Sequence, residues 1–568
     1  MSSIGPAFLK TCRLYLPGCS MFLRPANLFV VPLGYLLAVT IAGCGYTSNL
    51  PSSSADTNVT PNGAVQHVVV IFQENVSFDH YFGTYPTALN LPGESPFMAL
   101  PNTPAVDGLS KDLLQNNPNA SNRHNGAGAT NPFRLSPANA ATADQDHAYK
   151  AEQQAFDAGA MDLFPFSVGA TDGPGQGRRG AIATKGLTMG YYDGNTVTAV
   201  WNYAQHFAMS DRFFGTTFGP SAIGAINLIS GQTNGVVDDA NARGSMLSDG
   251  SGGFTLFANA DPVHDICADK GELVHMTGKN VGDLLNDAGV TWGFFAEGFD
   301  TTVINSNGTT GCNRSHISAI TRQTRLDYTP YLNPFQFYTS TENPTHARPT
   351  SVRMIGHNND GGANHQYDIH DFFDALKAGN LPAVSYLKSA AYRDGHAGYS
   401  DPLDEQSFLV QVINAIQQAP EWSNTVIIVT YDDSDGWYDH VNNVVNGSAT
   451  THDAFSSNGK CGDPETALPG VKAGTAHAQG RCGYGPRLPL LVISPWSKPN
   501  YVSHVVTDQS SILRFIEDNF LNQQRIGQGS YDAIAGPLGD MLDFSGTAPQ
   551  NNAVLLLDGT TGQVATGN

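Results

Sequence analysis

The chain has 568 residues, 40% of them hydrophobic and 14% charged, with 60 Gly and 33 Pro. That apolar share excludes global disorder, and the Gly and Pro content suits a loop-rich extracytoplasmic enzyme better than a helical cytosolic one. A formal charge of -21 argues against nucleic acid as a main partner, because such a field repels phosphate backbones unless a bound divalent cation inverts it locally.

At the amino terminus Arg24 precedes an apolar run from Leu28 to Gly43, too short and too interrupted by Pro32 and Gly34 for a membrane span, which reads as a secretory signal. Its ending, Thr40-Ile41-Ala42-Gly43-Cys44, resembles the bacterial lipobox, in which the cysteine is lipidated and becomes the first mature residue. Cleavage elsewhere, giving a plain secreted protein, is the alternative, and either Met1 or Met21 serves as the start. Residues 1–44 are therefore expected to be a signal peptide with lipobox and 45–64 a flexible tether. Residues 65–568 are expected to form one domain with insertions near 86–143, 297–368 and 442–487. The expected location is the bacterial cell envelope, with a lipid anchor in the periplasm or outer membrane, or the medium. Cys267, Cys312, Cys461 and Cys482 remain for disulfides, and proximity favours Cys267 with Cys312 and Cys461 with Cys482 among three connectivities.

After the tether, His67 to Gln73 is an uninterrupted apolar run rich in β-branched residues, the pattern of a buried strand in a parallel sheet. It ends in Glu74 and Asn75, where open α/β sheets bind ligands, although Asn75 also suits an ordinary turn. Ala199 to Ala208 reads as a helix. Gly219-Pro220 then makes a turn into a short buried helix ending at Gly231, with Ser221 at its amino terminus as an anion-favouring group, a nucleophile or merely an N-cap. The pattern next predicts a helix over 280–288, a strand over 290–296, a helix over 371–378 and a strand over 383–387. A helix capped by Asp401 with Pro402 at its first position runs to about Gln418. A second apolar strand, Thr425 to Tyr431, ends in Asp432 and Asp433. A strand over 488–493 and a helix over 509–520 capped by Asp508 complete the alternation, which implies a three-layer α/β/α sandwich around a largely parallel sheet.

Glu74, Asn75, Ser221, Asp432 and Asp433 fall at one edge of such a sheet, with His147 and His396 on loops. Carboxylates, an amide oxygen and a hydroxyl suit one hard or borderline divalent ion, whose identity these donors leave open. Metal contact would make Ser221 a nucleophile at ordinary pH and neutralise charge on a phosphoryl group.

The segments Gln73-Glu74-Asn75 with Ser77-Phe78-Asp79-His80, Gly219-Pro220-Ser221 and Tyr431-Asp432-Asp433-Ser434-Asp435-Gly436-Trp437 resemble, in order, motifs of a bacterial phosphoesterase family. That family contains phospholipases C and a respiratory-burst-inhibiting acid phosphatase. The resemblance implies an alkaline-phosphatase-like core with Ser221 as nucleophile and Glu74, Asn75, Ser221, Asp432 and Asp433 as metal ligands. His147 and His396 are similar to the phosphate-contacting histidines of the acid-phosphatase branch. Two positions depart from the pattern: Tyr331 and Leu332 stand where that branch carries a His pair, and Gly224 stands where many phospholipases carry Asn. The expected activity is acid-phosphatase-like hydrolysis of phosphomonoesters. The alternatives are a phospholipase C releasing diacylglycerol and a surface lipoprotein that only binds a phosphorylated ligand. The expected partner is thus a phosphorylated small molecule or a phospholipid.

Overall fold

The computed structural model describes residues 63–169, 184–248, 253–268, 271–319, 322–441, 484–546, 551 and 554–565. The expected signal and lipobox, most of the tether, the Cys461–Cys482 pair and nearly all of the 442–487 insertion lie outside the described residues.

Eight strands form the central sheet: β1 (His67–Gln73), β2 (Ala208–Ser210), β3 (Trp292–Ala296), β4 (Gln366–Asp368), β5 (Val384–Lys388), β6 (Thr425–Tyr431), β7 (Leu490–Ile493) and β8 (Tyr501–Ser503). Their spatial order is β4-β3-β5-β1-β6-β7-β2-β8. Neighbours pair in parallel except around β7, which runs against both β6 and β2. The register decides where the site forms. His67 lies opposite Thr425 and Gln73 opposite Tyr431, so β1 and β6 end level and their polar exits emerge side by side.

The helices used below are α1 (Phe78–Phe82), α2 (Tyr149–Phe156), α3 (Thr198–His206), α4 (Ser221–Ser230), α5 (Val281–Ala288), α6 (Ile369–Lys377), α7 (Pro402–Gln417) and α8 (Gln509–Phe520). Alternation along the strands sorts the core into two layers. Val68, Val70 and Phe72 of β1 join Ile226 and Ile229 of α4, Leu284 of α5 and Ile512 of α8. Val69 and Ile71 face the other way, toward Val200 of α3, Phe372 of α6 and Phe408 of α7. Both faces of β1 are fully buried, which is why its sequence is a continuous apolar run. Each such side chain contributes about 1.5–3 kcal/mol by burial.

Local chemistry sets the helix ends. Asp401 accepts from the N–H groups of Leu403 and Asp404 with Pro402 at the first position of α7, and Asp508 closes a capping box on α8. Gly231 ends α4 with a left-handed φ of 62°.

Several boundaries differ from expectation: the strands expected over 290–296 and 488–493 open at Trp292 and Leu490, and the helix expected over 371–378 runs Ile369–Lys377. The helix expected to reach Ala208 ends at His206, and Ala208 opens β2, whose pairing with β7 and β8 comes from distant chain. Strand β5 runs one residue past Leu387, to Lys388. The insertion over 297–368 carries a hairpin of Ser315–Ile317 with Thr324–Leu326, and Cys312 near it is bonded to Cys267 as expected. Among the described residues no helix is long and apolar enough to cross a membrane.

Candidate active site

The site forms beyond the level ends of β1 and β6. The chain leaves β1 through Asn75 with φ of 62°, a left-handed turn that asparagine tolerates. That turn swings its backbone N–H onto Asp432 Oδ1 at 3.1 Å and its Nδ2 onto Asp435 Oδ1 at 3.2 Å. Asp432 Oδ1 also accepts from the Asp433 N–H at 2.8 Å, and Asp433 Oδ1 accepts from the Asp435 N–H at 2.8 Å. One oxygen of each carboxylate is thus tied to backbone, which aims the other. Among the described residues, both Glu74 oxygens, Asn75 Oδ1, Asp432 Oδ2 and Asp433 Oδ2 are buried and make no hydrogen bond.

Buried oxygens without donors are costly unless a cation completes them. Burial, then the negative charge of Glu74 and Asp433, pushes the Asp432 carboxyl far above the ordinary carboxylate range, and burial likewise raises Asp433. Such a group ionises readily only when a positive charge joins it. This donor set fits a divalent ion held by Glu74, Asn75, Asp432 and Asp433.

Sequence reasoning missed the cation already present. Lys388, at the end of β5, is 3% exposed and places Nζ 3.0 Å from Glu74 Oε1 and 3.6 Å from Asp394 Oδ2. Burial opposes its charge, but Glu74, Asp394 and Asp432 outweigh that and hold the ammonium above the ordinary lysine value. Burial raises Glu74 too, and the positive charge of Lys388 and His396 reverses the sign, leaving it below the usual range. Among the described residues, the cluster at this edge with three ligand atoms within 4.8 Å of one another is Asp144, His147 and Asp435, not Glu74, Asp432 and Asp433. The rule that singled out Glu74 and Asp432, charge at a buried strand's carboxyl end, applies equally to Lys388.

The two histidines come together with ring centroids 6.0 Å apart. His147 Nδ1 lies 2.9 Å from the Gln145 carbonyl oxygen and 3.2 Å from Asp435 Oδ1. Burial disfavours its charge, yet Asp433, Asp435 and Asp144 raise its pKa well above the usual value, which favours the protonated ring. His396 Nδ1 is 2.6 Å from the Ala397 carbonyl oxygen, which assigns a proton to Nδ1. Tyr399 stacks on His396 at 4.3 Å, and Arg325 covers Tyr399 at 4.3 Å.

Ser221 opens α4 and is 1% exposed. It is not the N-cap: Pro220 holds that position, and no hydrogen bond to the Ser221 hydroxyl is found among the described residues. Capping therefore does not explain the serine. Three residues on, an added Cβ at Gly224 would lie 1.9 Å from the Asp432 carbonyl oxygen, so α4 meets the end of β6 by backbone contact and Ser221 stands one turn away. This close approach leaves no room for a side chain at Gly224. Glu152 fastens the same region from α2, accepting from the Gly219 N–H at 2.9 Å and from Ser434 Oγ at 2.7 Å. Burial and the charge of Asp433 raise its carboxyl to about 8. Tyr331 belongs to the wall as well, since burial and then Glu74, Asp394 and Asp432 raise its hydroxyl pKa.

Behind the site Asp79, Asp439, His440 and Arg487 form a buried network that joins α1 to the loop after β6. His440 Nδ1 lies 2.6 Å from Asp79 Oδ2. Burial opposes its charge and Asp79 more than restores it, raising its pKa to about 9. A histidine raised above its unfolded value contributes stability fully below about pH 6.5 and loses it as pH rises through about 9. Urea unfolding of the wild type is accordingly expected to lose about 3 kcal/mol between those limits from this group, and His440→Gln to flatten that interval. An unchanged slope in the variant would refute this assignment.

An acidic, oxygen-rich cluster at the carboxyl edge of a mostly parallel α/β sheet, beside a buried uncapped serine, defines a hydrolase-type site. A model of the Phosphoesterase family matches residues 65–521, and the chain belongs to that family. It is 24% identical over 500 residues to the non-hemolytic phospholipase C of Pseudomonas aeruginosa, covering 85% of this chain and 59% of the relative. It is 22% identical over 513 residues to phospholipase C B of Mycobacterium tuberculosis, covering 87% of this chain and 80% of that protein. The chain thus spans about 60% of the length of the Pseudomonas relative and of a Burkholderia pseudomallei one. Among solved structures, one of a protein in the alkaline phosphatase superfamily from Vibrio parahaemolyticus is similar, with a TM-score of 0.24, 12% identity and 56% and 59% of the two chains covered.

Proposed function

We propose that the protein hydrolyses phosphoric esters with Ser221 as nucleophile and one divalent ion held by Glu74, Asn75, Asp432 and Asp433. The observation that carries this reading is the set of buried, donorless oxygens on those four residues, one helical turn from a serine that caps nothing. When bound, the ion lowers the pKa of the Ser221 hydroxyl and neutralises charge on the phosphoryl group. Ser221 loses its proton to solvent and attacks phosphorus, forming the Oγ–P bond as the ester P–O bond breaks. Protonated His147 gives its Nε2 proton to the departing alkoxide. Neutral His147 then takes a proton from water, whose oxygen attacks phosphorus and releases Ser221. His396, held through Nδ1 by the Ala397 carbonyl oxygen, keeps Nε2 for a phosphate or water.

For the substrate, the names of the relatives support a phospholipid phosphodiester, cleaved as a phospholipase C does. The His147–His396 pair supports a second reading, phosphomonoesters, through the acid-phosphatase pattern. Export and lipid anchoring at Cys44 belong to the same proposal and are supported by the apolar run that precedes it.

The test is hydrolysis of p-nitrophenyl phosphate and p-nitrophenyl phosphorylcholine by chelator-stripped protein, before and after single divalent ions are returned. Stripping is expected to abolish turnover and one ion to restore it. Preference for the phosphorylcholine ester selects the phospholipase reading, preference for the monoester the phosphatase reading. Full turnover after exhaustive stripping would overturn the metal assignment.

A further inference from the structure

The acidic cluster contains more carboxylates than one divalent ion balances. Glu74, Asp394, Asp432 and Asp433 are all at most 3% exposed at the ends of three adjacent strands, β5, β1 and β6. Lys388 is rooted in the sheet itself, the register Ile71 opposite Leu387 bringing it level with Phe72, and Nζ lies 5.8 Å from that ring's centroid. Its stem is thereby fixed between apolar neighbours and its charge has one place to go. That place is between Glu74 Oε1 at 3.0 Å and Asp394 Oδ2 at 3.6 Å.

We infer that Lys388 is the site's permanent second cation. Its ammonium holds the position between Glu74 and Asp394 that a second divalent ion would need, so the cluster takes one divalent ion and offers it Glu74 through Oε2 alone. Resting on the metal reading above, this assigns a fixed count to the ion and a role to a residue outside the ligand set. A second ion beside Lys388 would face its ammonium charge a few ångströms away in a buried, low-dielectric site. Among the described residues Glu74 Oε1 and Asp394 Oδ2 already make no hydrogen bond, the same condition that marks the first ion's place, and without Lys388 they would lose the ammonium that faces them.

The experiment counts bound Mn²⁺ on the full purified chain by equilibrium dialysis with elemental analysis, and records the electron paramagnetic resonance spectrum, for the wild type, Lys388→Met and Lys388→Gln. The wild type is expected to hold one equivalent with the six-line spectrum of an isolated ion. The folded variants, checked by circular dichroism, are expected to hold two equivalents with a broadened, coupled spectrum. Two equivalents in the wild type would overturn the role of Lys388 and leave the metal site standing; none would overturn both. A folded variant that stays at one equivalent with unchanged affinity also overturns the inference. The glutamine variant carries the test if the methionine variant does not fold.

Discussion

Ser221→Ala is expected to lower kcat/KM for both p-nitrophenyl substrates at least about a thousandfold, because no other group takes over a nucleophile's bond-forming role. Among the described residues the buried hydroxyl makes no cap or other hydrogen bond whose loss would unfold the helix, so the melting temperature is expected to stay within a few degrees. Mn²⁺ is expected to stay bound, since Glu74, Asn75, Asp432 and Asp433 retain their donorless oxygens. Turnover within tenfold of the wild type would remove Ser221 from its role.

The largest stability effect is expected at Arg487, which is fully buried. Its Nη2 is 2.9 Å from Asp79 Oδ1 and its Nε 3.1 Å from Asp439 Oδ2, while Nη1 donates to the Asp107 and Asp211 carbonyl oxygens at 2.7 and 3.0 Å. The guanidinium also covers the Phe78 ring at 4.2 Å. Arg487→Met keeps most of the volume but strips the guanidinium from Asp439, leaves Asp79 to His440 alone and leaves two carbonyls without this donor. Breaking a buried pair by removing one partner costs about 3–5 kcal/mol, far above an exposed pair's worth. Chemical denaturation is expected to show that loss; a change below about 1 kcal/mol would mean the network is redundant.

Much of this architecture is legible from residue pattern, because the central strands are buried on both faces. β1 and β6 are continuous β-branched runs for that reason, and α7 and α8 announce themselves through Asp401-Pro402 and Asp508. The short strands are not legible: β2 is three residues long and exists only because β7 and β8 flank it. In the site the same contrast holds. Glu74, Asn75, Asp432 and Asp433 end conspicuous strands, whereas Lys388 ends a shorter one and reads as a solvated charge until the sheet order sets it beside Glu74. Glu152 is hidden differently. It lies on a short helix within polar sequence, and only the fold brings it to Gly219 and Ser434.

The backbone contact between Gly224 and Asp432 makes two properties of the site independent of each other. The place of the proposed nucleophile is inherited from how a helix seats on a strand end, while the preference of the proposed ion is written in side chains that project from turns. Exchanging a ligand, such as Asn75 for Asp, would therefore retune which metal is accepted without moving the serine. A lineage or an engineer that alters the ion keeps the same attack geometry, and only a change at the glycine would disturb both at once.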